Sequence, residues 1–271
     1  MRRGLGQLVK ATAAAYDLVR PSGDGLAVLL YHRVGARTPV SVDLPRSLFA
    51  DQLALLTERY QVLTLDEAAA QLAAGEPPRG KPAVAVTFDD GTADFLEEAV
   101  PVLEQHGVPA TLYVATAFVE EQRPFPDDGR PATWAQLADA VATGLVTLGS
   151  HTHTHLLLDR ADGATTAAEL DRSVGLLADR VGVAARHFAY PKALPGSPAA
   201  DAEVRRRFTT AAMAGTHLNR WTGTDLHQLA RTPIQVTDGM RWFARKADGG
   251  LRLEDQLRRR VNRSRYAEAT T

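Results

Sequence analysis

Three of the eight histidines in the chain fall within five residues, as His151-Thr152-His153-Thr154-His155. His151 and His155, four apart, share one face of a helical turn, a spacing suited to holding a single metal ion. His153 between them is either a third ligand or an outward-facing residue, and the second reading is preferred because a carboxylate is also to hand. That carboxylate lies in Asp89-Asp90-Gly91. Adjacent carboxylates at the end of an apolar run repel one another, so a cation or a shared proton is needed to hold them. Asp-Gly is also a common turn signal, so the pair alone says little. Imidazole with carboxylate suits zinc, with cobalt, nickel and iron remaining open. There is no cysteine, which removes thiolate nucleophiles, disulfides and thiolate-bound zinc together. His32 closes another apolar run and is either a hydrogen-bonded structural residue or a general acid or base. His106, His187, His217 and His227 lack such company and read as structural.

The elements that must position these residues are apolar runs at 26–32, 61–65, 83–88, 110–116, 145–150, 187–190 and 209–213. Helical patterns lie between them. Leu48, Phe49, Leu53, Leu56 and Tyr60 share one helical face after Pro45, and Thr64 with Glu67 forms a capping-box pattern. Gly107 ends a further helix that Pro101 should bend. Continuous rather than alternating apolar strands, each followed by a helix, imply a parallel sheet covered by helices. Seven such units fit a (β/α) barrel, and the loops after the strands should carry the chemistry. His32-Arg33, Asp89-Asp90, the histidine cluster and Pro191-Lys192 all follow strand ends, so they converge on one mouth. Residues 119–131 read as an exposed insertion.

The 271 residues are 45% hydrophobic and 23% charged with a formal net charge of -1, which excludes disordered and collagen-like classes. No overall field favours nucleic acid or anionic lipid. The opening residues are broken by Gly4, Gly6, Gln7 and Lys10, so a cytoplasmic protein without a cleaved signal is expected. Residues 5–19 form an amphipathic helix packing on the domain, with a membrane surface the less favoured alternative. Arg252, Arg258, Arg259, Arg260, Arg263 and Arg265 mark a basic end, read as a solvated helix face ahead of contact with an anionic polymer or lipid. The expected layout is a helical extension (1–25), a single barrel (26–236) and a C-terminal helix with a basic tail (237–271).

VTFDDG at 86–91, SHTHTH at 150–155 and FAYPKA at 188–193 resemble the first three motifs of the polysaccharide deacetylases, the NodB-homology carbohydrate esterases. The resemblance, over about residues 26–236, implies a distorted (β/α)7 TIM-like barrel and metal-dependent removal of an acetyl group from a sugar, usually an N-acetylhexosamine. It implies Asp89 as catalytic base, Asp90, His151 and His155 as metal ligands, and the backbone N–H of Lys192 as an oxyanion donor. Three departures accompany it. Lys192-Ala193 stands where the family usually has Tyr-Gly. The arginine that orients the catalytic aspartate is replaced by Ala189, and Arg231 in LARTPI is the candidate substitute by position. The usual late histidine of a Leu-x-His motif is absent. LLYHRV at 29–34 is instead similar to the N-terminal motif of permuted members related to the poly-N-acetylglucosamine deacetylases, which implies His32 as general acid. The rival readings are a phosphatase using Asp89 with Mg²⁺, an O-acetyl esterase, and a non-catalytic carbohydrate-binding relative. Trp134, Trp221 and Trp242 are each either a sugar-stacking platform or core.

Overall fold

The computed structural model describes residues 2–19 and 23–254. Eight strands run parallel in one sheet: β1 (Ala27–Tyr31), β2 (Gln61–Leu63), β3 (Ala83–Phe88), β4 (Ala110–Val114), β5 (Val146–Ser150), β6 (His187–Ala189), β7 (Thr210–Ala214) and β8 (Leu229–Pro233). Seven of them close a ring, in the order β1-β3-β4-β5-β6-β7-β8 and back to β1. The closing seam pairs Val28 with Arg231 and Leu30 with Pro233. β1 occupies one edge of β3 along residues 84–88, so the other edge is shared, β2 taking 83–85 and β4 taking 86–88. The barrel is therefore distorted at β3, where one strand faces three neighbours. The expected seven-stranded barrel is present with one exchange of members. The run at 61–65 lies outside the ring, and β8, which the apolar pattern does not reveal, completes it.

Nine α-helices cover the described barrel: α1 (Arg2–Val19), α2 (Arg46–Arg59), α3 (Leu65–Ala74), α4 (Val100–His106), α5 (Thr116–Glu121), α6 (Trp134–Ala142), α7 (Gly163–Val181), α8 (Pro198–Arg207) and α9 (Gly239–Ala247). Thr64 and Glu67 form the expected capping box, satisfying orphan N–H groups at the start of α3. Gly107 takes the left-handed conformation that ends α4. A π turn over Phe95–Ala99 precedes α4, and Pro101, with no N–H to bond back one turn, sits where the wider turn gives way to α-helix. Phe49, Leu53 and Leu56 of α2 are buried on the barrel, where Tyr31, Phe49, Phe88 and Phe95 pack with ring centroids 4.8–5.7 Å apart. Each such ring contributes about 1.5–3 kcal/mol of burial.

The amphipathic helix expected at 5–19 packs on the domain. Lys10 of α1 pairs with Asp238 and with Glu254, and Gln7 accepts a hydrogen bond from Trp242 of α9. The basic end beyond Glu254 lies outside the described residues. No helix among those described is long and apolar enough to cross a membrane.

Candidate active site

The carboxyl ends of the strands surround a cavity of about 620 Å³. His32, Asp89, Asp90, His151, His155 and Lys192 all line it, so four loops distant in sequence meet as expected. Arg231 lies beneath, wholly buried, and its guanidinium grips Asp89 in a bidentate pair with N–O distances of 2.5 and 2.8 Å. The same guanidinium also donates to Thr87 Oγ1 and lies 5.0 Å from the centre of the Tyr113 ring. That ring has room because residue 149 is glycine: a Cβ there would fall 2.6 Å from Tyr113 Cδ1. Burial alone would raise the Asp89 pKa, but the Arg231 charge, then His151, hold it at about 2, so the carboxylate stays ionised.

Asp90, His151 and His155 present ligand atoms that all lie within 4.8 Å of one another. Asp90 Oδ1 is 3.8 Å from His151 Nε2 and 3.7 Å from His155 Nε2, too far for hydrogen bonds and close enough to share one ion. His151 Nδ1 is 2.7 Å from the Ala189 carbonyl oxygen, which can only accept. The proton therefore sits on Nδ1, and the Nε2 lone pair faces the cluster, the arrangement a metal-bound histidine requires. Burial, and then His151, push the His155 pKa down to about 4, which keeps its imidazole neutral and ligand-ready. The donor set thus fits a divalent ion of the zinc type. His153 turns to Thr116, Nδ1 to Oγ1 at 3.0 Å, and is absent from the cluster.

Backbone strain concentrates here. Asp90, Thr152, His155 and Lys192 have φ of +78°, +63°, +64° and +55°, a region that non-glycine residues seldom enter. Asp90-Gly91 is thus both a turn, with Gly91 at φ +97°, and part of the donor set, so the two readings of Asp-Gly coincide. His32 Nδ1 is buried without a hydrogen-bond partner.

Several contributors lack a sequence signature. Phe118 and Phe125 stack at 4.2 Å and wall the cavity, so part of the expected insertion at 119–131 belongs to the site. Arg33 pairs with buried Asp94 at 2.9 Å and donates to the Asp127 carbonyl, anchoring that wall. The three tryptophans do not line the cavity; their Nε1–H groups donate to Glu120 (Trp134), Asp24 (Trp221) and Gln7 (Trp242). His187 shares a hydrogen bond with Thr210, and His227 donates to the Phe208 carbonyl, both away from the site.

A closed parallel barrel with a carboxylate–imidazole cluster at its mouth defines a hydrolase-type scaffold, and the comparisons narrow it. Residues 76–207 match the family model of polysaccharide deacetylase. IcaB from Ammonifex degensii is 28% identical, with a TM-score of 0.73 over 83% of this chain and 98% of that one. The Streptococcus pyogenes deacetylase PplD shares the fold, with a TM-score of 0.73 and 21% identity over 82% of this chain and 98% of that one. YxkH of Bacillus subtilis (strain 168) is 29% identical over 135 residues, 49% of this chain and 44% of that protein, so the chain matches less than half of that relative. Matched segment and fold agree: residues 76–207 are a polysaccharide deacetylase segment, set in a barrel that shares its fold with solved deacetylases.

Proposed function

We propose that the chain hydrolyses an N-acetyl group on a sugar unit of a polysaccharide or glycoconjugate, with residues 26–236 as the catalytic unit. One observation carries this reading: an ionised, Arg231-held Asp89 and the three-residue donor set of Asp90, His151 and His155 face the same cavity. A zinc-type ion on that donor set would polarise the acetyl carbonyl and acidify a water, making its proton available even to a weakly basic carboxylate.

Asp89 accepts the proton of the attacking water, and Arg231 fixes the orientation of both carboxylate oxygens. The Lys192 N–H, presented by a left-handed backbone at the rim, donates to the oxyanion; such a donor is worth about 3 kcal/mol. His32 donates a proton to the departing amine, which leaves poorly as an anion. Its place in the cavity and its unshared Nδ1 support that role. The substrate is an acetylated sugar, in keeping with a chain of near-zero net charge.

Acetate release tests the reading, measured on chitooligosaccharides, lipid-linked N-acetylglucosamine and acetylxylan, before and after chelation and zinc return. Release from an N-acetylated sugar that chelation removes and zinc restores is expected. Release from acetylxylan alone would replace the amidase reading with an O-acetyl esterase. Activity indifferent to chelation would remove the metal centre.

A further inference from the structure

The peptide between His151 and His155 is held from two sides. On one side, the backbone N–H groups of Thr116 and Ala117, at the start of α5, donate to the carbonyls of Thr152 and His153 at 3.4 and 2.8 Å. On the other, Glu169 reaches from the first two turns of α7. Its Oε2 accepts the N–H of His153 at 2.9 Å and of Thr154 at 2.8 Å, and its Oε1 accepts the Thr154 hydroxyl at 3.0 Å. Glu169 does not itself belong to the donor cluster.

The restraint matters because the loop does not hold its shape by local preference. Thr152 and His155 are both left-handed, and a β-branched threonine is among the residues least suited to that region. Released from its anchors, the segment would relax toward ordinary backbone angles and turn His155 away from Asp90 and His151. Three bonds converging on one carboxylate, at the peptides immediately before His155, oppose that relaxation.

We infer that Glu169 is a positioning residue that presets the His151–His155 pair for its metal ion. The inference rests on the metal-centre reading above and concerns the geometry of the loop rather than the charge of the carboxylate. A glutamine can supply an acceptor oxygen to both N–H groups and an NH₂ to the Thr154 oxygen. An aspartate keeps the charge and falls one methylene short.

Cobalt titration of the metal-stripped full chain, read by binding isotherm and visible spectrum, separates the two. Glu169→Ala and Glu169→Asp should lose about 10–100-fold in affinity, as removal of outer-shell support generally does, with an altered cobalt spectrum. Glu169→Gln should retain the affinity and spectrum of the unaltered protein. Should Glu169→Ala not fold, the contrast between Glu169→Gln and Glu169→Asp decides. Affinity unchanged in Glu169→Asp, or lost in Glu169→Gln as fully as in Glu169→Asp, overturns the inference. Failure of the unaltered protein to bind cobalt would overturn the metal centre itself, a distinct result.

Discussion

Two buried aspartates sit in similar electrostatic surroundings and do different things. Asp89 is 4% exposed and paired with Arg231; Asp238 is 1% exposed and paired with Lys10 and Lys246. Asp89 directly follows β3 and Asp238 closes a short 3₁₀ turn between β8 and α9, and in both the partner cations outweigh the effect of burial and lower the carboxyl pKa. Asp238 is closed in: Oδ2 also accepts the Gln235 N–H, Lys246 donates to the Pro233 carbonyl, and α1 covers it through Lys10. Asp89 faces an open cavity, beside a strained backbone and His32, whose buried Nδ1 has no hydrogen-bond partner. A buried, paired carboxylate is thus not a site in itself. What separates the two is access for a third party and a neighbouring group left unsatisfied.

Substitutions should widen that contrast. The largest effect is expected from Asp89→Asn, which removes the base while leaving Asp90, His151 and His155 in place. Acetate release should fall about 10²–10⁴-fold, with zinc affinity by calorimetry unchanged; retained turnover would strip Asp89 of its role. Arg231→Met leaves Asp89 buried without its cation, at a cost of about 3–5 kcal/mol in urea unfolding, together with lost activity. An unfolding midpoint equal to that of the unaltered protein would mean the pair is not confined as described.

Lys10→Met should act on stability alone. Asp238 keeps Lys246, so a loss of about 1–3 kcal/mol is expected with kcat unchanged. A fall in kcat would show that the enclosed carboxylate is coupled to the cavity. The smallest effect is in pH. The folded Asp238 pKa is depressed below 3.8 because burial, which raises it, is outweighed by Lys246 and Lys10. Its contribution is therefore complete above about pH 4 and is lost as pH falls through the depressed value. The stability gap between the unaltered protein and Asp238→Asn should be flat from pH 7 to 5 and shrink below pH 4. A gap that grows on acidification contradicts the sign.

The sequence made the mouth of the barrel legible, because short motifs follow apolar strands and strand ends in a parallel barrel converge. The histidine pair, Asp90 and Lys192 could be placed from that rule alone. β8 could not, since Arg231 interrupts an already short apolar run and Pro233 reads as a breaker. The reason is functional: the residue that spoils the pattern is the one turned inward to hold Asp89. Glu169 left no trace either, since its partners are backbone groups and its reach depends on how α7 lies against the 151–155 loop. Phe125 reads as insertion because its stacking on Phe118, a contact between a loop and a helix, has no period.

The ring closes where β1 meets β8, two strands separated by some two hundred residues of chain. His32 stands at the end of the first and Arg231 within the second, whereas Asp89, Asp90, His151 and His155 all fall within residues 76–207. During synthesis, Asp90, His151 and His155 emerge well before the counter-charge that grips Asp89. Pairing across so long a separation comes late, because its loop-closure entropy is met only when the intervening units are in place. A chain shortened before β8 would thus carry Asp90, His151 and His155 and lack the Arg231 that grips Asp89.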